Sequence, residues 1–139
     1  MGTESSLTGS IEITPVPRET DFDRAKLTQN KAVGWGYECI NVEFDTETDV
    51  QTENDGDVLV EVRRTRVTGA RINSCNTGGH KHYHTVPTLQ AIVDMLGKDR
   101  EYKGFFEMID EYGEMNRYGI VNGIVREYTP KIVWPEEVS

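Results

Sequence analysis

Of the 139 residues, 36% are apolar and 28% charged, and the formal net charge at pH 7 is −9, a balance that excludes a broad nucleic-acid or anionic-membrane surface because such surfaces need clustered Lys and Arg. No apolar run approaches the roughly 18 residues of a membrane-spanning helix, and two cysteines are too few for a disulfide-dense scaffold. The first residues carry neither the basic nor the apolar segment of an export signal, so the expectation is a cytoplasmic protein with no membrane partner.

Residues 1–9 carry Ser, Thr, Gly and Glu around one leucine and are expected to be loose, leaving 10–139 as a single compact domain. Ser10–Val16 alternates enough to predict a short strand, and Pro15 suits a sheet edge. Thr20 with Asp23 three residues on marks a helix start, with Phe22, Ala25 and Leu27 available for one or two turns.

From about 32 to 75 the chain reads as one long β-hairpin with Asn54-Asp55-Gly56-Asp57 at its tip. Placing Asp55 and Gly56 at the centre of a type I′ turn sets Glu47 opposite Arg64, Asp45 opposite Arg66 and Phe44 opposite Val67. One face then carries Glu43, Asp45, Glu47 and Asp49 beside Thr68, Arg66, Arg64 and Val62, and the other, the core candidate near the base, carries Ile40, Val42, Phe44 and Val50 beside Val67, Thr65 and Leu59. Carboxylates at every second residue repeat at about 6.6 Å, near the phosphate spacing of a nucleic-acid strand, which suggests a mimic; cross-strand ion pairing with the arginines is the simpler use. The same register sets Cys39 opposite Ile72, away from Cys75, which predicts two free thiols.

The loop Cys75-Asn76-Thr77-Gly78-Gly79-His80-Lys81-His82-Tyr83-His84 holds all three histidines and one of the two cysteines. Histidines spaced by two lie on one side of an extended strand with Cβ atoms roughly 7 Å apart, so two of them could grip one ion. A tetrahedral zinc would take two of His80, His82 and His84 plus Cys75. The metal-free use of the same residues is anion binding. Gly78 and Gly79 let the backbone approach a ligand closely, the helix beginning at Thr85 presents unpaired N–H groups, and Arg71, Lys81 and the histidines add positive charge.

After this loop, Leu89, Ile92, Val93 and Leu96 give one apolar stripe, Pro87 fits a first turn and Gly97 a C-terminal cap, which predicts a helix over about 86–97 starting at Thr85 or Val86. A second helix is predicted over about 102–113, with Phe105, Ile109 and Tyr112 inward. Tyr118–Tyr128 has two glycines and several β-branched residues and favours strand over helix. Ile132-Val133-Trp134 reads as a short C-terminal strand or tail. The expected class is α+β, an antiparallel sheet built around the long hairpin with two helices on one face.

Three functions fit these features. The preferred one is a non-catalytic binding protein holding a small anionic, nucleotide-like ligand at Arg71, Gly78, Gly79, His80, Lys81, His82, His84 and Thr85, with no cofactor. The second is a zinc-dependent, hydrolase-like enzyme using Cys75 and the histidines, with Glu38 or Glu43 as base. The third is an acidic inhibitor, of viral or mobile-element type, that presents its acidic strand to a basic protein partner. A homo-oligomer is compatible with each.

Overall fold

The computed structural model describes residues 5–29, 40–74 and 85–131, together with Pro135. Its strands are β1 (Ser5–Thr14), β2 (Ile40–Asp55), β3 (Val58–Ser74), β4 (Glu101–Asp110), β5 (Met115–Val121) and β6 (Ile124–Tyr128), and its helices are α1 (Arg24–Gln29) and α2 (Thr85–Leu96), with a single 3-10 turn at Glu19–Asp21. The strands form one six-stranded antiparallel sheet in the order β2-β3-β1-β4-β5-β6. The α+β class holds in outline, with strands carrying more of the chain than expected.

Alternation decides which face of this sheet is buried. Ile11 and Ile13 of β1, Ile40 and Val42 of β2, Ala70 and Ile72 of β3, and Tyr102 and Phe106 of β4 are all buried, and each set falls at every second position, as a one-sided sheet requires. Leu89, Ile92, Val93 and Leu96 join the same cluster, so α2 lies over this inner face with its apolar stripe down, as predicted. Each such side chain contributes about 1.5–3 kcal/mol on burial. At the helix end the Gly97 N–H donates to the Val93 carbonyl at 2.8 Å, with a φ of 122° at Gly97. Helix α1 is short and adds Leu27 to the core; Asp23 caps it by accepting from the Ala25 N–H at 2.9 Å.

Several expectations are corrected. The segment read as loose begins β1 at Ser5, and β1 is interior, paired with β3 on one side and β4 on the other. The helix expected over 102–113 is strand β4. Its inward residues Tyr102, Phe106 and the half-buried Met108 fit a period of two, Gly104 weakens a helix, and a ten-residue ladder from Ser5 opposite Asp110 to Thr14 opposite Glu101 engages the whole segment. Long-range pairing overrides a helical spacing of Phe105, Ile109 and Tyr112 that strand alternation meets nearly as well. The segment 118–128 is strand, as favoured, but divided into β5 and β6 by Asn122 and Gly123, whose φ values of 52° and 76° fit a type I′ turn.

The long hairpin is present, with a different centre. Asp55 stands opposite Val58, so the turn is Gly56-Asp57, with a φ of 66° at Gly56, where a type II′ turn places glycine. Glu47 therefore faces Arg66 and Asp49 faces Arg64. From Thr46 to the tip the slip from the expected register is two residues, which preserves the side chains that share a face. From Asp45 back, where Asp45 faces Gly69 and Phe44 faces Ala70, it is three. Ile40 faces Ser74, so the offset argument that separated Cys39 from Cys75 falls; both cysteines lie outside the described residues. A β-bulge between Asp45 and Thr46 interrupts the ladder.

Candidate functional site

Of the residues expected to hold an anion, Gly78, Gly79, His80, Lys81, His82 and His84 lie outside the described residues, as do Cys75 and Glu38. Arg71 and Thr85 are described, and they do not converge. Arg71 alternates with the buried Ala70 and Ile72 and so projects from the outer face, whereas Thr85 is buried at the start of α2 on the inner face. The Arg71 guanidinium is bound in a fork by the Asp45 carboxylate, one limb at 2.9 Å, with Glu43 at 3.7 Å. Among the described residues no group of three or more His, Cys, Asp or Glu is placed to hold a metal ion.

The geometry assembles two other surfaces. The first is the distal part of the hairpin. Among the described residues β3 meets β1 only over Arg71–Asn73, so beyond the bulge β2 and β3 pair with each other and with no third described strand. Every residue from Asp45 to Glu61 is exposed. A two-stranded ribbon of this length, about 30 Å at 3.3 Å per residue, forms an arm. Its tip is aliphatic and acidic: Leu59 is 73% exposed, Val58 61% and Val50 55%, and from Glu47 to Glu61 there are six acids and no Lys or Arg.

Nearer the body, Arg66 pairs with Glu47 at 2.9 Å, Arg64 with Glu53 at 3.1 Å and Arg63 with Glu61 at 3.3 Å. The hydrogen bond to Glu47, with the further charge of Asp49, holds the Arg66 guanidinium above its ordinary value. These pairs are solvent-exposed and contribute little stability each. Asp55 and Asp57 have no ion pair among the described residues, so the outermost charge of the arm is uncompensated.

The second surface is the outer face of β4, β5 and β6. The closing turn at Asn122-Gly123 sets Arg117 opposite Tyr128 and Gly119 opposite Arg126. Phe105 is 44% exposed here, with the Arg117 guanidinium over its ring at 4.4 Å and held to Glu107 at 2.9 Å. Gly119 has no side chain, and a Cβ there would meet the Tyr128 ring at 3.6 Å, so Tyr128 lies over bare backbone. A groove of about 380 Å³ runs past Met115, Arg117, Tyr128, Thr129, Pro130 and Lys131.

Two glycines help bring Phe105 to this position. Gly9 and Gly104, at φ 125° and 118°, flank the Ser10–Phe105 pair, and a Cβ on either would sit 2.3 Å from a carbonyl of the facing strand. Arg126 and Lys131 have no ion pair among the described residues.

A family model described as "Family of unknown function (DUF6205)" matches residues 1–139. The chain belongs to that family. No curated protein and no solved structure matches it. For this DUF6205 member, then, the site rests on geometry alone. Sequence reasoning weighed the acidic strand of the first surface as a contact for a basic partner but not its aliphatic tip, and passed over the second surface. The signals were the run Val58-Leu59-Val60-Glu61-Val62 beside an acidic strand, and Asn122-Gly123 between two β-branched pairs, which fixes Arg117, Gly119, Arg126 and Tyr128 on one face.

A larger groove, about 510 Å³, lies between the end of α2 and the β5–β6 turn, but its Lys98 and Lys103 are paired with Asp94 at 3.5 Å and Glu101 at 3.7 Å. No helix among the described residues is long and apolar enough to cross a membrane.

Proposed function

We propose that this protein is a non-catalytic protein-binding module that presents the β2–β3 arm to a partner surface both basic and apolar. The carrying observation is that, among the described residues, the arm pairs with no third strand while exposing Val50, Val58 and Leu59 among acids. An isolated two-stranded ribbon is marginal in water, and exposed aliphatic side chains on it gain free energy only when something covers them. The acids select for positive charge on the covering surface and steer its approach. Catalysis has no support among the described residues, where the titratable groups of the arm face solvent.

The test uses a defined probe, a peptide of alternating Lys and Leu, titrated calorimetrically into the full chain. Binding should weaken as salt is raised. It should fall at least about tenfold, the equivalent of 1.4 kcal/mol, in a Val58→Ser, Leu59→Ser variant. Equal binding by wild type and variant would remove the arm from the function.

A further inference from the structure

We infer that the surface taken by the arm is the outer face of β4–β6 on a second copy of this chain, so that two copies exchange arms. The inference rests on the preceding reading and names its partner. Both halves of the contact are on one molecule. The arm tip offers Val58 and Leu59 with Asp55 and Asp57, acids without an ion pair among the described residues. The β4–β6 face offers the exposed Phe105 and Tyr128 with Arg126 and Lys131, cations equally without one.

In a chain of net charge −9, two exposed cations without an ion pair among the described residues, beside exposed Phe105 and Tyr128, are the complement of the arm tip. The two surfaces lie at opposite ends of the strand order. Four strand spacings of about 4.8 Å separate β2 from β5, and the arm is longer than that. A two-fold arrangement satisfies both contacts at once and closes the assembly, which a head-to-tail arrangement would not.

Charge reversal separates this pairing from others. In an arm variant, Asp55→Lys with Asp57→Lys, the tip and the face are both positive; in a face variant, Arg126→Glu with Lys131→Glu, both are negative. Sedimentation of the full wild-type chain at low salt should show a two-copy species that dissociates as salt rises. Each variant alone should associate at least about tenfold more weakly. An equimolar mixture of the two variants should regain a two-copy species, because each positive tip then meets a negative face and each negative tip a positive face.

All these residues are exposed, so unchanged melting temperatures would verify that both variants fold. A wild type monomeric at every concentration, variants that associate like wild type, or a mixture that stays monomeric would each overturn the inference. In the first case, retained binding of the Lys-Leu peptide would leave the arm's docking role standing, whereas a monomer that also fails to bind the peptide would overturn both readings.

Discussion

The side-chain amide of Gln90 on α2 is hydrogen-bonded to the exposed rim of β6: its oxygen accepts from the Val125 N–H at 2.9 Å and its nitrogen donates to the Gly123 carbonyl at 2.9 Å. One side chain thus occupies the start of the rim, where a further strand would otherwise pair. Gln90→Leu keeps the bulk and leaves both partly buried backbone groups unsatisfied. The expected loss is about 1–3 kcal/mol in denaturant unfolding, with increased aggregation on heating. An unchanged midpoint would show that water replaces the amide without cost.

Leu89 is fully buried in the cluster that joins α2 to the sheet. Leu89→Ala should cost about 2–5 kcal/mol, seen as a fall in melting temperature of several degrees or more.

The α2 stripe was legible in the sequence because an apolar period of three and four with a following glycine has one simple reading. The hairpin was legible for a similar reason, and from Thr46 to the tip its faces survived a misplaced turn because the slip there was even; the bulge adds one more residue on the body side, which the sequence did not announce. What the sequence concealed was pairing. Tyr102–Tyr112 satisfies both periods locally, and only the ladder with β1 selects the strand. Arg71 was assigned to a ligand from its nearness in sequence to the glycines, but strand alternation sends it to the other face, into the Asp45 carboxylate. The sequence sets Val50 and Leu59 of the arm on the core-facing side because valine and leucine on a strand imply a core, and only the absence of a third paired strand among the described residues shows that there is none at the tip.

Arg100 ties three segments together. Its Nε donates to the Leu96 carbonyl at 2.8 Å, its Nη1 to the Pro15 carbonyl at 2.8 Å, and its Nη2 lies 3.5 Å from Asp21. Arg100→Met should destabilise by roughly 2–4 kcal/mol, and Arg100→Lys by less, since one ammonium recovers part of a fork. Thermal unfolding of the two variants side by side measures the order.

Gly104→Ala places a methyl 2.3 Å from the Ser10 carbonyl oxygen at a φ of 118°. The strands must part, and we expect a loss of more than about 3 kcal/mol or failure to fold. Gly113→Ala is the control: its φ is 83° and nothing lies within 4 Å of the added carbon, so only strain of about 1 kcal/mol is expected. Similar melting temperatures for the two would disprove the close approach of β1 and β4.

Burial pushes the Tyr102 phenol up to about 12, with Asp94 adding to the shift and Arg100 opposing it. Burial first, and then Glu127, does the same for Tyr118. Between about pH 10 and 12 the unfolded chain loses protons that the folded one keeps, so stability falls as pH rises through that window and is unaffected by these groups below it. Tyr118→Phe should flatten the decline in denaturant midpoint above about pH 10 relative to wild type; parallel curves would refute the assignment.

The bulge between Asp45 and Thr46 divides the hairpin into two cooperative units. On the body side the inner side chains Ile40, Val42, Ala70 and Ile72 are buried in the core, and its amides should exchange with solvent only on global unfolding. On the far side, among the described residues, each strand is paired with the other alone, so the arm can open and reclose while the body stays folded. A partner that captures the closed arm must then supply the free energy of keeping it closed, which lowers affinity for a given contact area and hastens release. Whatever the arm grips, it is built to let go.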